Sequence, residues 1–163
     1  MFLSFRLNLL ESAVDALARS GERRSVLPSH LATGLRGERA AFFWLRHRGY
    51  LVVARQWHSS RAPGDLDLIA WQGDTLCFIE VKTRTTRAVA AAHFAVDASK
   101  RRVLRRLARH YLRQLPRRAT QSADPQPSGP ATRFDILSIY FEQDQPAAFE
   151  HYPGAFGWEE AES

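Results

Sequence analysis

Apolar and polar positions along this chain change their period several times, and each change marks an element. Leu3, Leu7, Leu10, Val14 and Leu17 recur at helical spacing, which predicts an amphipathic helix ending near Gly21. Residues 22–36, broken by Pro28 and Gly34, read as a linker. A second helix is expected over Gly37–Arg48, with Ala41, Phe42 and Leu45 on its apolar face and Gly49 closing its C-terminus. The run "YLVVARQW", 50–57, is rich in β-formers and predicts a strand, followed by a loop, "HSSRAPG". Two further strands, about 65–71 and 75–83, meet at "QGDT", where Gly-Asp is a hairpin signal. A polar, Ala-rich connection leads to a long helix over Ala98–Leu115. Residues 116–132, with Pro, Ser and Gly but no apolar period, read as a mobile loop. "RFDILSIYF", 133–141, predicts a strand and "AAFEHY", 147–152, a weaker one, while the tail after Gly157 is expected to fray.

The order α–α–β–β–β–α–β–β predicts an α/β domain, a mixed central sheet flanked by helices. The chain divides on this reading into a helical extension and linker (1–35), the α/β domain (36–157) and a short tail (158–163).

The hairpin carries charges that its apolar pattern does not explain. With Gly73-Asp74 as a two-residue loop, Gln72 pairs with Thr75 and Asp67 faces Glu80 on one face of the sheet, with β-carbons about 4.5–5.5 Å apart. Lys82 lies two residues further on the same face. Adjacent carboxylates repel unless one is protonated or a cation joins them. Mg²⁺ suits such a pair, since it binds one or two carboxylates, keeps several waters and takes phosphate oxygens. With a lysine beside it, the set has the parts of a phosphodiester hydrolase. A three-residue loop would instead pair Asp67 with Ile79 and move it to the other face. Asp65 shares the parity of Asp67 and is a second candidate acid or a strand-entrance cap. On strand pattern alone, an exposed cross-strand Glu–Lys pair of little worth reads equally well.

Composition adds a net charge of +6, with a hydrophobic fraction of 45% that is ordinary for a folded domain. The positive charge is concentrated. Residues 100–118 hold nine Lys or Arg and no acid. Val103, Leu104, Leu107, Ala108, Tyr111, Leu112 and Leu115 keep a helical period there. Lys100, Arg101, Arg102, Arg105, Arg106, Arg109 and Arg113 are therefore expected on an outward face suited to a nucleic-acid backbone. The plainer reading is a solvated face or one meeting an acidic partner. The single cysteine, Cys77, excludes an internal disulfide framework and reads as a small core residue. No run approaches the roughly 18 apolar residues of a membrane span. The apolar start lacks a basic leader region and gains Glu11 and Asp15 where a signal peptide would stay apolar. A cytoplasmic protein without a membrane partner is expected.

Four stretches, "GERAAFFWLRHRGYLVVARQW", "GDLDLIAWQGDTLCFIEVKTR", "AVDASKRRVLRR" and "RFDILSI", together resemble the YraN-like family within the PD-(D/E)xK nucleases, related to Holliday-junction resolvases. The resemblance covers about residues 36–157. It implies a restriction-endonuclease-like core and a Mg²⁺- or Mn²⁺-dependent DNA endonuclease. Asp67, Glu80 and Lys82 would fill the catalytic motif, with Glu38 an additional acid and the Val81 main-chain carbonyl a further metal ligand. By the same likeness a homodimer is expected. The chain departs from the family's pattern in having Asp65 for the usual Glu, a longer loop before it without Gly-Gly, and "AAHFAVD" where an "FG" pair often stands. Glu38 has a second explanation, because an acid in a helix's first turn is favoured by the macrodipole. The alternative function is a non-catalytic nucleic-acid-binding module on a nuclease-like scaffold.

Overall fold

The computed structural model describes residues 29–85, 96–115 and 129–159. The expected N-terminal helix, the linker as far as residue 28 and residues 116–128 of the expected loop lie outside the described residues. The chain divides into two units, Met1–Ala32 and Thr33–Ser163. The second holds the sheet and both helices, apart from the opening residues of the first helix.

That helix, α1, runs over Ser29–His47, so residues 29–36 are helical where a linker was expected. Gly34 marks no break. It ends as expected at Gly49, which takes a positive φ of 83°. Gly49 N–H bonds Arg46 O at 3.1 Å and Tyr50 N–H bonds Leu45 O at 3.1 Å, the paired closure that a left-handed residue permits.

Five strands follow in spatial order β1-β2-β3-β4-β5: Leu51–Ser59, Ala62–Gln72, Thr75–Arg84, Ala131–Tyr140 and Ala148–Phe156. All neighbours are antiparallel except β3 and β4, which are parallel and flank the helix α2, Ala98–Gln114, in sequence. The sheet is therefore mixed and the α/β expectation holds. β1 and β2 extend into the predicted loop, where Ser59 pairs with Ala62 after a bulge. β5 continues past Tyr152 to Phe156.

Each sheet face buries one helix, which accounts for the strand alternation. Leu104, Leu107 and Ala108 of α2 pack on Ile69, Leu76, Phe78, Phe134 and Ile136. Ala41 and Leu45 of α1 pack on Leu68, Ala70, Cys77, Ile79, Leu137 and Ile139. Cys77 is thus a buried core residue, and Trp44, Trp57 and Trp71 pack against these cores rather than standing free for bases. The approach of α1 to β3 is close at one point: a β-carbon on Gly37 would collide with the Thr83 side chain.

Two polar features depart from the usual apolar interior. Arg105 is buried, and its Nε and Nη2 donate to Gly157 O and Glu159 O, both at 2.9 Å. With Trp158 packed on Phe134, this ties down a segment expected to fray. Asp135, fully buried on β4, accepts from Arg133 Nε at 2.9 Å and Gly154 N–H at 2.9 Å, and lies 3.0 Å from His151 Nε2. Burial pushes its carboxyl up, but these partners outweigh it and hold the pKa below the ordinary value. Arg133 also donates to Tyr50 OH and to Gln72 Oε1, so the network braces the hairpin end of the sheet.

Removing one member of a buried charged set leaves the rest uncompensated, at about 3–5 kcal/mol. Asp135→Ala is accordingly expected to lose that much in urea unfolding; a loss under about 1 kcal/mol, the scale of an exposed pair, would refute the brace.

Candidate active site

The site begins where the hairpin ladder ends. Gln72 pairs with Thr75 and the register continues to Leu68 opposite Ile79, as a two-residue Gly73-Asp74 loop requires. Gly73 supplies the positive φ, 56°, that this tight turn needs. The next facing pair is Asp67 and Glu80. There the backbone ladder stops and Asp67 Oδ2 accepts the Val81 N–H at 2.7 Å. A side-chain carboxylate thus stands between the strands in place of a backbone carbonyl.

Glu80 is 4% exposed, the deepest acid on this side of the sheet. Its Oε1 takes Lys82 Nζ at 2.8 Å. Its Oε2 is buried and pairs with Lys100 Nζ, from the first turn of α2, at 3.2 Å. The three residues expected at the catalytic motif are therefore gathered, and Lys100 joins them.

Electrostatics couple the group. Burial and then the Glu80 charge push the Asp67 carboxyl up to about 7, only partly offset by the Val81 N–H and Lys100. Burial disfavours the Lys100 ammonium, but Glu80 and Asp67 outweigh it and leave its pKa above the ordinary lysine value. Glu38 lies within the same field. Burial raises its carboxyl, a hydrogen bond from Gln56 Nε2 at 2.8 Å opposes this, and Asp65 and Glu80 add to the rise. Because α1 starts at Ser29, Glu38 is not in its first turn, and the macrodipole explanation for this acid falls away.

Gln56 is a residue that sequence reasoning missed. It sits within β1 at a positive φ of 44°, unusual for a side chain of this size, and that kink aims its amide at Glu38. Nothing in a β-rich run signals such a backbone. Lys100 was expected on the outward basic face, but is only partly exposed and belongs to the carboxylate cluster. Arg105 was expected outward as well; it is buried because the C-terminal carbonyls at Gly157 and Glu159 capture its guanidinium. Arg102, Arg106, Arg109 and Arg113 are exposed at the spacing of one helical stripe, with Arg101 partly buried.

Among the described residues, no three His, Cys, Asp or Glu side chains converge tightly enough to hold a metal by themselves. The donor set offered is two carboxylates, Asp67 and Glu80, the second held by ion pairs to Lys82 and Lys100. A strand residue presents its N–H and C=O to the same side, so the Val81 carbonyl faces the β2 side with its N–H. Two carboxylates plus a carbonyl fit a small hard ion that retains waters.

A mixed five-stranded sheet covered by a helix on each face, with two acids and a lysine where a central hairpin parts, is compatible with a restriction-endonuclease-like core. Comparison with known proteins agrees on the lineage. Residues 37–139 match the model of "Uncharacterised protein family UPF0102". A UPF0102 protein of Koribacter versatilis (strain Ellin345) is 50% identical over 119 residues, covering 73% of this chain and 76% of its own. One of Solibacter usitatus (strain Ellin6076) is 38% identical over 136 residues, 83% and 90% of the two chains. A third, of Porphyromonas gingivalis, is 35% identical over 131 residues, 80% and 87%. This chain belongs to the UPF0102 family. Among the described residues, no helix is long and apolar enough to cross a membrane.

The raised pKa of Asp67 has a defined consequence for stability. The folded protein keeps a proton that the unfolded chain gives up from about pH 4, so the contribution is full below that value and is lost as pH rises to about 7. Without divalent ions, wild type is expected to lose thermal stability relative to Asp67→Asn across pH 4–7, and the difference to level off above that. Parallel Tm curves for the two proteins would refute the assignment.

Proposed function

We propose that this chain is a metal-dependent DNA endonuclease, hydrolysing phosphodiester bonds in the manner of resolvase-like enzymes. The observation that carries the reading is the Asp67 carboxylate held in the parted hairpin by Val81 N–H, beside Glu80 and Lys82. Asp67, Glu80 and the Val81 carbonyl would hold Mg²⁺ or Mn²⁺. That ion supplies Lewis-acid polarisation of the phosphate and acidifies water in its shell.

The protein's own groups do the rest. Asp67 and Glu80 are fixed by adjacent strands, so the donors are pre-aligned before substrate arrives. Lys82, on the same strand as Glu80, orients the attacking water and offsets charge as its oxygen bonds to phosphorus and one bridging P–O bond breaks. Glu38, held by Gln56, adds negative potential at the rim. Arg102, Arg106, Arg109 and Arg113 line one side of α2, the helix that starts at the site, and offer guanidinium forks to a phosphate backbone. Such contacts position a duplex or a junction without reading its sequence.

A second reading has one observation in its favour. Both Glu80 oxygens already face ammonium groups, and a carboxylate so paired has less need of a metal. On that reading the chain is a nucleic-acid-binding module on a nuclease-like scaffold.

Purified protein incubated with branched, single-stranded and duplex DNA plus Mg²⁺ or Mn²⁺ is expected to cleave at least one form. Asp67→Ala, Glu80→Ala and Lys82→Ala should each lower the rate by about 10²-fold or more. Equal cleavage by wild type and the variants would defeat the assignment. Salt-sensitive binding that survives Asp67→Ala, with no saturable Mn²⁺ binding by calorimetry, would establish the scaffold reading instead.

A further inference from the structure

Glu80 is shared by two lysines of different origin. Lys82 lies two residues along the same strand and takes Oε1. Lys100 comes from another element and reaches Oε2. Its backbone is fixed at the start of α2, where Asp97 accepts the Lys100 N–H at 2.8 Å and the Ser99 hydroxyl at 2.7 Å. From that anchor the side chain turns in toward the sheet. It is 31% exposed, whereas Arg102 and Arg106 further along the helix are on the open surface. Lys100 therefore belongs to the acid cluster, although it heads the run of basic residues.

The charges constrain what it does. With both acids ionised, Asp67 and Glu80 are balanced by the two ammonium groups. With a divalent ion held by Asp67 and Glu80, both lysines would face two added positive charges. The cluster then attracts a phosphodiester, and the additional negative charge that develops on phosphate during attack favours the same cations. Lys82 projects from the strand that carries Glu80. Lys100 projects from a different element, on the sheet-facing side of α2 with Leu104 and Leu107, whereas Arg102, Arg106, Arg109 and Arg113 lie on the helix's outer side.

We propose that Lys100 is a catalytic residue: its ammonium holds Glu80 while the divalent ion is absent and grips the reacting phosphate once the ion has taken that carboxylate. The proposal rests on the nuclease reading above.

The test uses the full chain with Lys100→Met, Lys100→Arg and, as a comparison from the exposed stripe, Arg106→Met. Mn²⁺ is titrated by calorimetry at pH 8, above the Asp67 pKa of about 7. Loss of a competing cation should make Lys100→Met bind Mn²⁺ about tenfold more tightly. Single-turnover cleavage at saturating Mn²⁺ should fall by about 10²-fold, with the Kd for DNA moving less than about threefold. Lys100→Arg should recover part of the rate. Arg106→Met should weaken DNA binding and leave Mn²⁺ affinity where it was. If wild type binds Mn²⁺ and cleaves, but Lys100→Met matches it in both, the role of Lys100 is overturned and the nuclease reading stands. The same holds if Lys100→Met only weakens DNA binding, as Arg106→Met does. A wild type that neither binds Mn²⁺ nor cleaves any DNA overturns the nuclease reading and this proposal with it.

Discussion

The bond from Val81 N–H to the Asp67 carboxylate is the constraint from which the site's geometry follows. An antiparallel ladder normally satisfies each N–H with a carbonyl across the gap. Here the ladder is broken after Leu68 and Ile79, and a side chain accepts the next N–H. That exchange satisfies a backbone donor, holds the carboxylate in place and puts it beside Glu80. Two acids at close quarters in a half-buried cleft are costly unless countered, and the chain counters them three times over: with a proton held to about pH 7 on Asp67, with Lys82 and with Lys100. Each counter-charge is exchangeable. The proposed metal and phosphate binding would require such an exchange.

Legibility in the sequence followed the range of the interactions. Short-range chemistry was readable: the Gly-Asp turn set the hairpin register, and from the register came the meeting of Asp67 and Glu80 with Lys82 on the same face. The Gly49 helix stop, the two-sided burial of the sheet and the core role of Cys77 follow from local pattern in the same way. Long-range chemistry was hidden. Arg105 has the helical position of a surface residue, and only the return of the chain at Gly157–Glu159 explains its burial. Lys100 heads a basic run and was grouped with it by composition; only the placement of the α2 start against β3 separates the two. The linker over residues 29–36 failed for another reason, since a glycine that a helix tolerates was read as one that ends it. Gln56 gave no signal at all, because nothing in a β-rich run marks the residue that takes a positive φ.

The two buried polar systems divide the sheet between them. At the hairpin end, Asp135 is fully satisfied by Arg133, His151 and Gly154, and its carboxyl is held ionised. About one rung away, Asp67 accepts the Val81 N–H, and burial with the Glu80 charge pushes its carboxyl the opposite way. The same type of side chain in the same sheet thus has its carboxyl shifted in opposite directions by its surroundings. The difference lies in whether its partners are already committed.

The missing side chain at Gly37 bears on how such a site tolerates change. Because α1 touches β3 there with no room for a methyl group, Glu38 on the helix and Lys82 on the strand are indexed to each other through adjacent residues, Gly37 and Thr83. A larger residue at that contact would force the helix or the Thr83 side chain to move and shift Glu38 relative to Lys82. Position 37 therefore works as a calibration point of the molecule, where a change would register as a misfit between two functional groups.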